Sequence, residues 1–394
     1  MPLSMVSSVR HGAEVPTKSA APIRVLLFCM LSLLAPPAYA DEPDRPNFLI
    51  IVADDMAWSD IGFFGSEIRT PGLDGLAARG VTMSDFYVAP TCSPTRAMLM
   101  TGVDSHLAGL GTMEGVQAEN QRASRGYGGQ LHSEVVTLPE VLKEAGYTTL
   151  MSGKWHLATE EAQYPDRRGF DRSFALLEGG ASHFSDAMPL YKGVNATYIE
   201  NGKPVSLPAD FYSSIHYTDK ILQYLAEAPP DRPFLAYVAY TAPHDPLQVP
   251  PEWQDRYAGQ YAAGPEALKN RRVQELTRRG LMPADAPVWR TPKLPAFLPG
   301  ALRPWAELGD RERARSSKPM EVYAAMVELM DQQIGRLLDE LERSGRLQNT
   351  YILFLSDNGA NGATPLSYPN TTRDWFRSTF AQTGEPSAGP GTHL

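Results

Sequence analysis

Residues 47–55 read Asn47-Phe48-Leu49-Ile50-Ile51-Val52-Ala53-Asp54-Asp55, and the stretch Asn47–Val52 is apolar and β-branched with no polar alternation. A strand with one wet face alternates. A run that is apolar throughout is a strand buried on both faces, the habit of parallel sheets covered by helices on each side. Downstream, Leu73–Arg79 closed by Gly80 predicts a short helix with a glycine stop. Thr137 to Gly146 carries a Thr N-cap, Pro139 in the first turn, Glu140 at the third position and a closing glycine, a capped helix. Further strands are expected at Tyr147–Met151, Phe234–Tyr240 and Tyr351–Leu355, and helices at Phe211–Ala226 and Met320–Leu341. This alternation predicts an α/β sandwich, in which ligands gather at the carboxyl ends of the strands. Residues 245–318 are rich in Pro and Arg with little periodicity, and are expected to be a surface insertion over the core.

The 394 residues, 43% apolar and 9% aromatic, are enough to bury a large core. At the N-terminus Arg10, Lys18 and Arg24 precede the apolar run Val25–Leu34, Pro36, Pro37 and Ala38-Tyr39-Ala40. This is the pattern of a secretory signal peptide, 1–40, cleaved after Ala40. Its apolar run is short of the about 20 residues a membrane span needs. The mature chain is therefore expected to be exported, periplasmic or secreted, and free of the membrane. The leader carries Arg10, Lys18 and Arg24 against Glu14, net +2, so the formal charge of −9 becomes −11 on cleavage. That argues against nucleic acid and anionic membrane surfaces as partners. Cys29 lies in the leader, which leaves Cys92 alone, without a disulfide partner, as either a buried apolar residue or a chemical group.

The chemistry-bearing residues fall at the strand ends. Asp54-Asp55 follows the first strand and Asp357-Asn358 the last. Either pair alone could cap a following turn. Together they put four hard oxygen side chains at one edge, where a cation between them relieves their repulsion, and all-oxygen ligation favours Ca2+ or Mg2+ over zinc. The run Cys92-Ser93-Pro94-Thr95-Arg96-Ala97-Met98-Leu99-Met100-Thr101-Gly102 opens a helix at Pro94. Helical spacing sets Cys92 and Arg96 on one face at the N-terminal end, where an anion is favoured. A thiol phosphatase would need its arginine at position 98, which is Met98. Gly153-Lys154-Trp155-His156-Leu157 and Thr241-Ala242-Pro243-His244 end two more strands. In isolation the first could be an exposed amphipathic loop and His244 a structural histidine.

The Cys92–Gly102 run resembles the signature of the formylglycine-dependent sulfatases, of the alkaline-phosphatase-like superfamily: Cys-x-Pro-x-Arg, then Leu and Thr-Gly. Thr95 stands where most members have Ser. Gly153–Leu157 resembles the second signature of that family, with Ala158 where Gly is commoner. Thr241–Leu247 is similar to its Pro-His segment, and Met320–Pro365, with Ser356-Asp357-Asn358-Gly359, to the close of the catalytic domain in bacterial arylsulfatases. The likeness covers nearly all of residues 46–375.

It implies a large mixed, mostly parallel sheet between helices, with a catalytic domain over 41–380. It further implies that a formylglycine-generating enzyme converts Cys92 to formylglycine, which hydrates to a geminal diol. Lys154 would then hold the sulfate and the diol, Arg96 would help neutralise the sulfate, His156 would hydrogen-bond the diol and His244 would protonate the leaving group. One Ca2+ or Mg2+ would sit on Asp54, Asp55, Asp357 and Asn358. The implied substrate is an aryl or alkyl sulfate ester, cleaved to sulfate and an alcohol or phenol. Phosphonate monoester and phosphodiester hydrolases share this frame and are the rival reading, and a non-catalytic remnant is the other. Family members continue beyond the Asp-Asn-Gly strand with another sulfate-contacting lysine and a small C-terminal domain. This chain has no lysine after Lys318, and residues 381–394 are a tail of Gly, Pro, Ser and Thr. It therefore reads as C-terminally truncated and is expected to be impaired. His183 is a further candidate for the pocket wall.

Overall fold

In the computed structural model, which describes residues 45–190, 193–288 and 303–362, the quoted run is strand β1, Asn47–Ala53. Six further strands join it: β2 (Thr148–Lys154), β3 (Arg172–Leu176), β4 (Tyr198–Glu200), β5 (Lys203–Pro204), β6 (Phe234–Ala239) and β7 (Thr350–Ser356). Their order in the sheet is β5-β4-β3-β2-β6-β1-β7. The pairings β3–β2, β2–β6, β6–β1 and β1–β7 are parallel, and β3–β4 and β4–β5 are antiparallel, so that among these strands β4 alone runs against the rest. The helices are α1 (Pro71–Arg79), α2 (Cys92–Thr101), α3 (Leu138–Glu144), α4 (Ser213–Glu227), α5 (Pro265–Arg278) and α6 (Asp310–Arg343).

The period of two along β1 divides its side chains between two apolar layers. Leu49 and Ile51 pack with Tyr217 and Ile221 of α4 and with Val322, Met326 and Met330 of α6. Ile50 and Val52 pack on the opposite face with Ala97 and Met100 of α2, Trp155 and Tyr237. Each fully buried Leu or Ile contributes roughly 1.5–3 kcal/mol, so both faces of β1 must be covered. The result is the α/β sandwich expected, a mostly parallel sheet between helices.

Thr137 caps α3 as its sequence requires: Thr137 N donates to Glu140 Oε2 at 2.7 Å and Glu140 N to Thr137 Oγ1 at 3.4 Å. β2 runs past its expected end at Met151 to Lys154 because Gly153, at φ +116, lets it pass close to β6; a Cβ there would stand 1.9 Å from Ala239 O. Two expectations need correction. Residues 245–318 contain α5, which the weak apolar pattern did not announce, and Val249, Tyr257 and Tyr261 of the same stretch enter the core. Helix α6 starts at Asp310 rather than Met320 and continues through Pro319.

Among the described residues no helix is long and apolar enough to cross a membrane. The expected leader 1–40 with Cys29, and the tail 381–394, lie outside the described residues.

Candidate active site at the strand ends

Because β1, β2, β6 and β7 are parallel neighbours, their carboxyl ends share one edge, and the residues singled out from the sequence arrive there, His183 excepted. Ala53 lies opposite Ser356 in the register of β1 and β7, so Asp54-Asp55 and Asp357-Asn358 leave the sheet side by side. Asp55 N donates to Asp357 Oδ1 at 3.3 Å, and Asn358 Nδ2 donates to Asp55 Oδ1. Asp55 holds φ 61, the left-handed region.

Cys92 is the first residue of α2 and is buried. Ligand-capable atoms of Asp54, Asp55, Cys92 and His244 all lie within 4.8 Å of one another. The Thr95 hydroxyl accepts from Ala89 N at 2.9 Å and so holds the segment that leads into α2. Arg96, wholly buried, donates through Nε to Asp357 Oδ2 at 2.8 Å and through Nη1 to Lys154 O at 3.0 Å, and its Nη2 is ion-paired with Asp357 Oδ2 at 2.8 Å. Lys154 closes β2 with its ammonium 2.6 Å from Asp54 Oδ2. Trp155 turns into the opposite layer, where its indole N–H donates to Gln163 O at 3.1 Å, and this leaves Lys154 and His156 on the site side. His156 is also left-handed, at φ 52, and its buried Nδ1 has no partner. His244 donates through Nδ1 to Asp245 O at 2.8 Å, which leaves Nε2 facing Asp55 Oδ2 at 3.5 Å.

Burial and charge set the protonation of these groups. Burial pushes the Cys92 thiol well above its ordinary range and, with Asp54, Asp357 and Asp55, outweighs the nearby Lys154 ammonium. The thiolate form is thus disfavoured. Burial works against the charge on Arg96 and Lys154, yet Asp357 and Asp54 hold both above their usual range. Burial, reinforced by Lys154, Arg96 and His244, pushes His156 well down, so its ring is neutral. At His244 burial is outweighed by Asp55 and Asp54, and the shift is upward. Asp357 is raised by burial and by Asp54 against the pull of Arg96 and Lys154.

The donor set fits a hard divalent cation. Three carboxylates and a carboxamide meet at one edge, and Asp54 Oδ1 and Asn358 Oδ1 are buried acceptors without a protein partner.

His183 stands behind this edge, not in it. Its Nδ1 meets the Ser213 hydroxyl at 2.6 Å and its Nε2 donates to His244 O at 3.1 Å. Burial lowers it to about 4 from the ordinary 6.5. Between those values the unfolded chain binds the proton and the folded one does not, so stability falls as pH drops through that window. The expected slope from His183 is about 1.4 kcal/mol per pH unit. Urea unfolding of wild type and His183→Gln at pH 7 and pH 5 measures it, and equal slopes for the two chains would contradict it.

The sequence reading missed the glycine pair beside the histidines. A Cβ on Gly179 would meet His156 Cε1 at 2.7 Å, and one on Gly180 would stand 3.5 Å from His244 Cε1. It also missed Ser356, whose Oγ accepts from Met56 N at 2.9 Å, and Asp60. Only the fold brings these to the site.

The family model described as Sulfatase matches residues 46–378. An arylsulfatase of Klebsiella aerogenes is 41% identical over 356 residues, covering 89% of this chain and 75% of that protein. An uncharacterized sulfatase of Schizosaccharomyces pombe is 43% identical over 343 residues, 83% of this chain and 60% of that one. The crystal structure of Ps i-CgsB in complex with k-i-k-neocarrahexaose matches with a TM-score of 0.56 at 26% identity, over 84% of this chain and 61% of that chain. The chain thus spans about three fifths of the length of two of these three relatives. A family match that begins at β1 and runs past β7, on a sheet that delivers the matching segments to one edge, shows that this chain belongs to the sulfatase family.

Proposed function

We propose that the chain hydrolyses sulfate esters of an alcohol or phenol, with Cys92, converted to formylglycine, as the nucleophilic position. The observation that carries this reading is the place of Cys92: at the start of α2, against Asp54, Asp55 and His244, with its thiol held protonated. A cysteine acting as itself would need the opposite environment, one that favours thiolate. As a hydrated formylglycine the same position would present a hydroxyl to the sulfur atom.

Charge supports the substrate class. Asp54, Asp55 and Asp357 against Arg96 and Lys154 leave a formal −1 at the edge. A divalent cation, with His244 protonated for its role as acid, would make the edge net positive, which suits an anionic ester such as a sulfate monoester. One Ca2+ or Mg2+ on Asp54, Asp55, Asp357 and Asn358 would act as a Lewis acid toward the sulfate oxygens. Arg96 and Lys154 are fixed beforehand by Asp357 and Asp54, so their charges need no reorganisation when negative charge shifts on the ester. His156, neutral, has its unpartnered Nδ1 free for a hydrogen bond to the nucleophile's hydroxyl. His244 has Nδ1 committed to Asp245 O, so Nε2 is the atom that would give a proton to the leaving oxygen.

Cys92, Ser93, Thr95 and Arg96 are all buried. A formylglycine-generating enzyme would therefore act before the segment folds, in a chain on its way to the periplasm or the medium.

Gly179→Ala is expected to press on the His156 ring and lower kcat for an aryl sulfate about 100-fold, with KM nearly unchanged. Steady-state kinetics would check it; a fall in kcat below about threefold would contradict the contact's importance.

The test of the function is side-by-side turnover of an aryl sulfate and an aryl phosphonate monoester by chain co-expressed with a formylglycine-generating enzyme. The sulfate is expected to be cleaved faster, with loss of activity in EDTA and return on adding Ca2+ or Mg2+. Faster cleavage of the phosphonate, or activity indifferent to EDTA, would overturn the reading.

A further inference from the structure

The turn that leaves β1 is tied at four successive N–H groups. Asp54 N donates to Ala242 O at 3.1 Å, Asp55 N to Asp357 Oδ1 at 3.3 Å, Met56 N to Ser356 Oγ at 2.9 Å and Ala57 N to Asp60 Oδ2 at 3.1 Å. The first three partners belong to the strand ends themselves. The fourth does not.

Asp60 is buried and has no part in the chemistry described above. Its Oδ2 also accepts from the Tyr323 hydroxyl of α6 at 2.6 Å, and its Oδ1 from Arg272 Nη1 of α5 at 2.5 Å. Arg272 is in turn fixed by Glu67, which accepts from Nε at 3.0 Å and from Nη2 at 2.8 Å. Tyr323 Oη lies 3.4 Å from Asp55 O. Two helices thus converge, through one carboxylate, on the backbone directly after Asp55.

Asp55 needs such a hold. At φ 61 it sits where L-residues are strained; Asp goes there more readily than most, but the conformation persists only where neighbours over-determine it. If the turn slackened at Ala57, Asp55 would relax toward negative φ and carry its carboxylate away from Asp54, Cys92 and His244.

We propose that Asp60, clamped by Arg272 and Tyr323, is a positioning residue for the divalent cation, setting the affinity of the site by holding Asp55 in its left-handed conformation without itself ligating metal. The proposal rests on the cation reading of the Asp54, Asp55, Asp357 and Asn358 edge. It gives α5, inside the 245–318 segment, a task at the site through Arg272.

Calorimetric titration of Ca2+ into the full chain tests it, with wild type, Asp60→Asn, Arg272→Met and Tyr323→Phe each checked as folded by circular dichroism. Asp60→Asn and Arg272→Met are expected to weaken Ca2+ binding about tenfold or more. Tyr323→Phe, which keeps the ring and removes only the hydroxyl, is expected to weaken it about threefold, and it preserves the test if the charge variants do not fold. Arg272→Lys should recover part of the loss. A merely structural role would lower the unfolding midpoint in EDTA and leave the Ca2+ Kd at its wild-type value; that result in the folded variants overturns the proposal. Wild-type chain that binds neither Ca2+ nor Mg2+ overturns the cation reading itself, and this proposal with it.

Discussion

Cys92→Ala is expected to lower aryl sulfate turnover on the order of 10⁴-fold or more, the scale on which removing a covalent nucleophile acts, while the chain stays folded. The substitution removes one sulfur from the first residue of α2, where alanine suits a helix and makes no new contact. Arg96, Lys154 and Asp357 keep their mutual bonds, none of which involves Cys92. Activity should therefore fall without a matching fall in stability or in Ca2+ affinity. Kinetics and calorimetry on the same preparation separate the two. A variant that kept more than a tenth of wild-type turnover would show that some other group attacks sulfur.

Asp357→Ala should be the most destabilising change at the site, by about 3–5 kcal/mol with Ca2+ bound, as expected when one partner of a buried ion pair is removed. It strips both short contacts from Arg96 and leaves that buried guanidinium with Lys154 O at 3.0 Å and Asp54 Oδ2 at 3.7 Å. An opposing effect operates without metal. Burial and the Asp54 charge raise Asp357, so in EDTA its removal also relieves repulsion. The loss should thus be smaller in EDTA than in Ca2+. Urea unfolding in the two conditions measures the difference, and equal losses would contradict a cation shared between Asp54 and Asp357.

The strands that bear the site were legible because a strand buried on both faces must be apolar along its whole length, as β1 and β6 are. The polar residues just past each strand end then stand out: Asp54-Asp55 after β1, Thr241 to His244 after β6, Asp357-Asn358 after β7. Cys92 and Arg96 were legible through helical spacing. The short strands β3 to β5 were not, although Asn201-Gly202, both at positive φ, is the hairpin signal between β4 and β5. Helix α5 was hidden because it holds its place by Arg272 ion pairs with Asp60 and Glu67 more than by an apolar face. The left-handed backbone at Asp55 and His156 could not be read locally, since neither is glycine. Gly179 against His156, and Asp60 between α5 and α6, are contacts across the fold that no spacing records.

The most direct measurement is the mass of the Cys92 peptide from chain co-expressed with a formylglycine-generating enzyme. Loss of the sulfur with an aldehyde in its place is expected. An intact thiol at Cys92 in protein that still hydrolyses an aryl sulfate would contradict it.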